Sequence, residues 1–140
     1  MASDKDKLVR DQPVGIPAEQ GPLAPYRGAQ PPAPQWFTDA VATPYETHFV
    51  ECEGVQIHYQ AWGDRTKPGL LLVHGNGAHA HWWDFVAPYL LEDYFVVAMT
   101  FSGMGDSGWR PDYTMDVFAR EQLAVCDHAG LFAHAEKPII

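Results

Sequence analysis

The chain has 140 residues, 46% of them hydrophobic and 19% charged, which bounds it to about one domain with material for a packed core. A net charge of -9 excludes the basic surface that nucleic acid requires and speaks against an anionic membrane as partner. Two cysteines, Cys52 and Cys126, are too few for a disulfide framework and read as reduced thiols, one on a strand and one on a helix.

The start, Met1 to Arg10, is charged and lacks the apolar stretch of a secretory signal. No apolar run approaches the roughly 18 residues of a membrane-spanning helix. The expectation is a soluble, cytoplasmic protein. Seven of the twelve prolines fall between Pro13 and Pro34, interleaved with Gly15, Gly21 and Gly28. Such a segment buries too little apolar surface to offset its ordering entropy. Residues 1–34 are therefore expected to be a disordered Pro-rich extension, and residues 35–140 the folded domain. Trp36, Phe37 and Val41 are expected to dock first.

Thr47–Cys52 and Val55–Trp62 flank Glu53-Gly54 and read as an antiparallel hairpin at a sheet edge. In the second run Val55, Ile57, Tyr59 and Ala61 alternate with Gln56, His58 and Gln60. The second set is expected to face solvent, as is His48. Leu70–Val73 is apolar without alternation, as in a strand buried on both faces. It runs into Gly75-Asn76-Gly77, where glycine lets the backbone approach a neighbour closely. Trp82, Phe85, Val86, Tyr89 and Leu90 then recur at helical spacing, with a kink or restart expected at Pro88. Trp82 is expected on the core face of that helix. Trp83 is open between a core position and the lining of a substrate pocket.

Tyr94–Phe101 is a second unalternated strand, and residues 102–113 a glycine-rich loop. Thr114 is a candidate N-cap for a helix whose apolar face carries Met115, Phe118, Ala119, Gln122, Leu123 and Cys126, with Gly130 just past its end. Pro138-Ile139-Ile140 reads as the opening of a further strand. The succession is the α/β pattern with a parallel sheet.

Gly103-Met104-Gly105-Asp106-Ser107-Gly108 matches the spacing of a dinucleotide fingerprint, but no helix opens at its end. His74, His79 and His81 do not make a metal site, since only Asp84 lies near as a further ligand. His79 and His81 read as loop histidines.

His74-Gly75-Asn76-Gly77 after a strand resembles the oxyanion loop of the α/β-hydrolase family, and Ser102-Gly103-Met104-Gly105-Asp106-Ser107 resembles the turn after that family's fourth strand. Thr100 stands where the family usually has aspartate. The resemblance covers Trp36 to Ile140. It implies the N-terminal part of an α/β-hydrolase sheet, an antiparallel hairpin followed by parallel strands with intervening helices.

The resemblance further implies that the backbone N–H of Asn76 is the oxyanion donor, with His74, Gly75, Gly77, Gly103, Gly105 and Ser107 shaping the loops. It implies hydrolysis of an ester or related bond in a small-molecule substrate, with no cofactor and no metal. None of the three serines, Ser3, Ser102 and Ser107, has the G-x-S-x-G surroundings of the family's nucleophile. Nucleophile, acid and base are thus expected beyond Ile140. The 140 residues alone are expected to be inactive, poorly stable and able to self-associate through an unpaired sheet edge. Asn76 after His-Gly also resembles haloalkane dehalogenases, although those usually carry proline where this chain has Gly77. Epoxide hydrolysis and a non-catalytic binding role on the same fold stay open.

Overall fold

The computed structural model describes residues 21, 24–27, 29–133 and 137–140, and divides into two units, residues 1–33 and 34–140. Within the first unit, Ala24–Tyr26 forms one 3₁₀ turn. The expectation for residues 1–34 falls largely outside the described residues.

The second unit opens with α1 (Gln35–Val41), whose Phe37 meets Phe85 at a ring separation of 5.6 Å. Trp36 and Val41, expected to dock with it, remain exposed. The hairpin follows as β1 (Glu46–Cys52) and β2 (Val55–Trp62), paired antiparallel with Cys52 opposite Val55. Glu53 and Gly54 both take positive φ, 52° and 78°, the geometry of a two-residue turn matched to strand twist. Two further strands, β3 (Gly69–Leu72) and β4 (Phe95–Met99), pair parallel to each other, and β4 pairs antiparallel to β2. The strand order is β1-β2-β4-β3. Beyond β3, Ile139 makes a single parallel bridge to Leu70, accepting from the Leu71 N–H at 2.8 Å.

The last helix, α2 (Met115–Ala129), begins where Thr114 Oγ1 accepts from the Val117 N–H and ends at Gly130 with φ 77°. It covers one sheet face, where Val125, Cys126, Ala129 and Leu131 pack on Ile57, Tyr59, Val97 and Met99. Its inward stripe differs from the apolar pattern. Met115 is 79% exposed and Leu123 also points out, while Glu121 is fully buried. An ion pair between Glu121 and Arg110 brings this carboxylate inside, so a charged residue belongs to the packed side.

The opposite face corrects three expectations. The segment after the Gly75 turn forms two 3₁₀ turns, Ala80–Trp83 and Ala87–Leu90, rather than an α-helix. Pro88 lacks the N–H that a helix would direct to Asp84, and its ring would crowd that carbonyl. Three-residue spacing within each turn then sets Ala80 with Trp83, and Ala87 with Leu90, toward the sheet, against Trp62, Leu70, Val96 and Ala98. Trp82, expected inside, is 62% exposed. The same covering segment buries the polar side of β2, so His58 is 2% and Gln60 0% exposed where solvent was expected. Gln56 alone of that set stays exposed.

Candidate oxyanion loop

The chain leaves β3 through His74, which is buried beneath the turn it precedes. The His74 Nδ1–H donates to the Gly75 carbonyl at 2.7 Å, and Nε2 accepts the Phe101 N–H at 3.0 Å. Both ring nitrogens are thereby assigned, one as donor and one as acceptor, which is the neutral imidazole. Burial pushes the His74 pKa down, partly opposed by the bond to Gly75.

Gly75, Asn76 and Gly77 form an exposed turn closed by the Ala78 N–H on the Gly75 carbonyl at 3.2 Å. Gly77 has φ 73°, as the third position of a type II turn demands. The Gly75 carbonyl and the Asn76 N–H belong to one trans peptide plane and point in opposite directions. With the carbonyl held by His74 and Ala78, the Asn76 N–H points to the side opposite those two bonds, and it has no protein acceptor among the described residues.

A second loop lies beside it. Ser107 is buried, its hydroxyl donating to the Thr100 carbonyl at 2.6 Å and accepting the His58 N–H at 2.9 Å. Thr100 Oγ1 accepts the Ala80 N–H at 3.0 Å and lies 3.2 Å from His58 Nδ1. Thr100 thus ties the first 3₁₀ turn to β4 and β2 with a neutral hydroxyl. The glycines of this loop are required by close approach. A Cβ on Gly103 would lie 2.6 Å from the Tyr113 hydroxyl, and one on Gly105 would lie 2.7 Å from His79 Cβ. The loop's far end is held by Arg110, whose Nη2 donates to the Cys52 carbonyl at 2.6 Å and whose Nε donates to Glu121 at 2.8 Å.

His81 Nδ1 sits 2.8 Å from Asp84 Oδ2, and Gln60 Nε2 donates to Asp84 Oδ1 at 3.2 Å. The His58 ring stacks 6.1 Å from His81, and His79 lies 5.5 Å from it. Burial lowers the His58 pKa. Among the described residues no group of three or more histidines, cysteines and carboxylates could hold a metal ion. Trp83 packs in the layer over Trp62 and Leu70, its indole Nε1 buried without a partner. Cys52 and Cys126 are buried free thiols, and burial pushes Cys126 up to about 11. No described helix is long and apolar enough to cross a membrane.

The sequence reading missed Arg110 and Glu121. A lone carboxylate one turn before Val125 on the packed side of α2 is the one available signal for Glu121, and nothing local marks Arg110.

A family model described as alpha/beta hydrolase fold matches residues 68–131. Epoxide hydrolase 3 of Xenopus tropicalis is 27% identical over 106 residues, covering 73% of this chain and 29% of that protein. Epoxide hydrolase 4 of Homo sapiens is 29% identical over 84 residues, covering 58% of this chain and 23% of that protein. The chain therefore spans less than a third of these curated relatives. Among solved structures, the thioesterase domain from the curacin biosynthetic pathway superposes with a TM-score of 0.58 at 29% identity, over 61% of this chain and 32% of that one. The Cif epoxide hydrolase from Acinetobacter nosocomialis gives 0.58 at 26%, over 69% of this chain and 33% of that one. Strand order, paired loops and these similarities together show an α/β-hydrolase fold in the chain, over about a third of the length of those structures.

Proposed function

We propose that these residues supply the oxyanion loop of a hydrolase acting on an ester or related bond, with the nucleophile outside the 140 residues. The observation that carries this is the Gly75–Gly77 turn after β3, whose Asn76 N–H has no acceptor among the described residues and lies opposite the Gly75 carbonyl that His74 holds. When a nucleophile adds to a carbonyl, the new bond moves an electron pair onto the oxygen. A fixed N–H that meets this charge contributes roughly 3 kcal/mol to the transition state. The donor is backbone, so side-chain chemistry at position 76 is not needed.

A second reading, epoxide opening, is favoured by the curated relatives named epoxide hydrolases. There a carboxylate nucleophile would open the ring to an alkyl-enzyme ester, and hydrolysis of that ester again develops an oxyanion. The substrate is a small molecule in both readings. The 140 residues alone are expected to show no turnover above buffer.

The test compares Asn76→Ala with Asn76→Pro in a polypeptide that carries these residues and turns over substrate, using a p-nitrophenyl ester and styrene oxide. Asn76→Ala keeps the donor and should retain kcat. Asn76→Pro removes it and should lose roughly 100-fold or more. Equal kinetics for the two folded variants would remove Asn76 from the reaction, and which substrate turns over separates the two readings.

A further inference from the structure

The ladder between β2 and β4 ends on a rung that is not backbone to backbone. In an antiparallel hydrogen-bonded pair, each residue's N–H meets the other's carbonyl. His58 and Thr100 stand opposite each other one step beyond Tyr59 and Met99. One of their two bonds is direct, the Thr100 N–H donating to the His58 carbonyl at 2.9 Å. The other runs through the hydroxyl of Ser107, which accepts the His58 N–H at 2.9 Å and donates to the Thr100 carbonyl at 2.6 Å. One residue on, the Gly108 N–H donates to the Gln56 carbonyl at 2.8 Å, so β2 there pairs with the end of the loop. Ser107 is buried at the point where β2 changes partner.

The Thr100 carbonyl and the Phe101 N–H belong to one trans peptide plane and point in opposite directions. Ser107 holds the edge that faces β2. The other edge faces the β3 side of β4, where the Phe101 N–H donates to His74 Nε2 at 3.0 Å. Two side chains thus pin one plane from opposite edges. A rung through Oγ also spans more than the single N–H···O bond of about 2.9 Å that it replaces. Without the hydroxyl, the His58 N–H and Thr100 carbonyl are buried groups in need of partners. Closing onto each other satisfies both, and it draws the plane toward β2 and off His74. The imidazole would then keep only its Nδ1–H bond to the Gly75 carbonyl, whose plane carries the Asn76 N–H.

We propose that Ser107 is a positioning residue for the oxyanion turn: as an inserted rung, it keeps the Thr100–Phe101 plane seated on His74. The His74 tautomer plays no part, since the Gly75 carbonyl by itself keeps the proton on Nδ1. The use of this device rests on the oxyanion reading, whereas the bond it maintains exists without substrate.

The test is solution NMR on the ¹⁵N-labelled 140-residue chain. It reads the scalar coupling that a hydrogen bond transmits between the Phe101 amide nitrogen and His74 Nε2. The parent chain should show this coupling. Ser107→Ala should lose it and speed exchange of the Phe101 amide by about tenfold or more, with the His74 tautomer unchanged. Thr100→Val removes the neighbouring side-chain hydroxyl but leaves the rung, and should keep the coupling. A folded Ser107→Ala that retains the coupling would overturn the proposal, and so would an equal loss in Thr100→Val. Should Ser107→Ala not fold, the same outcomes are read on Ser107→Cys, whose thiol is a weaker donor and acceptor and should reduce the coupling. In a polypeptide that carries these residues and turns over substrate, Ser107→Ala should lower kcat by about tenfold or more at unchanged KM. An unchanged kcat would show that the turn does not depend on the pinned plane. Loss of the coupling together with equal kinetics for Asn76→Ala and Asn76→Pro would leave the rung standing and remove the oxyanion reading.

Discussion

His74 Nε2 accepts the backbone N–H of Phe101 at 3.0 Å, joining the loop after β3 to the loop after β4 across 27 residues of sequence. The bond exists only while that nitrogen is unprotonated, because imidazolium has no acceptor. His58, on the other side of the Thr100 hydroxyl, is also buried. Burial lowers the pKa of both.

Stability should therefore fall on mild acidification. The unfolded chain takes up protons at these two histidines near 6.5, whereas the folded chain resists until lower pH. Between those values the unfolded state binds more protons, so stability rises with pH. The contribution is complete above about pH 7 and is lost as pH drops through and below 6.5. Glu46, lowered by its bonds to His48 and then Arg65, acts only below its ordinary 4.5, outside this window. Urea midpoints measured from pH 8 to pH 5 should decline, and His58→Asn should flatten the decline. A midpoint that stays level or rises toward pH 5 would show that neither imidazole is held neutral.

Two glycines with positive φ should respond differently to alanine. Gly77 has φ 73° with nothing within 4 Å of an added Cβ, so Gly77→Ala should cost only the left-handed penalty, roughly 1–2 kcal/mol. Gly105 has φ 43°, and its Cβ would lie 2.7 Å from His79 Cβ and 3.1 Å from Thr100 Cγ2. Gly105→Ala should cost that penalty plus a displacement of the His79 segment, about 1–3 kcal/mol more. Chemical denaturation of the two variants measures the difference, and equal losses would mean that the Gly105 loop is not seated on His79.

The sheet was legible because its signals are local. Leu70–Leu72 and Phe95–Met99 are continuous apolar runs, and Glu53-Gly54 marks a turn whose geometry few other pairs suit. The failures came where one segment covers another. Period-two alternation in β2 cannot disclose that the Ala80–Leu90 segment lies over His58 and Gln60. Helical spacing around Trp82 gave way to 3₁₀ turns because Pro88 removes a bond that the spacing assumes. Of the candidate site, the turn residues Gly75, Asn76 and Gly77 could be named from their order alone. The bonds that hold them run through the His74 ring to the Gly75 carbonyl and the Phe101 amide, groups that meet only in three dimensions. A hydrophobic pattern scores Glu121 as surface, and only its pairing with Arg110 makes it interior.

The final expectation concerns the outer edge of β3. On that side the described residues offer one bridge, Leu70 to Ile139, with the Ile139 N–H donating to Gly69 and its carbonyl accepting from Leu71. Beside it, Leu123, Cys126, Phe132, Pro138 and Ile140 line an apolar groove of about 410 Å³. An unpaired strand edge next to apolar surface is a template for another chain. The 140-residue chain should therefore associate as its concentration rises, with light scattering reporting species larger than a monomer. Leu123 is exposed, so Leu123→Lys places a charge in the groove without disturbing the core. It should shift the association to higher protein concentration, while Met115→Lys, exposed on α2 but absent from the groove lining, should not. A chain that remains monomeric across the concentration range, or equal behaviour of the two lysine variants, would show that this edge does not drive self-association.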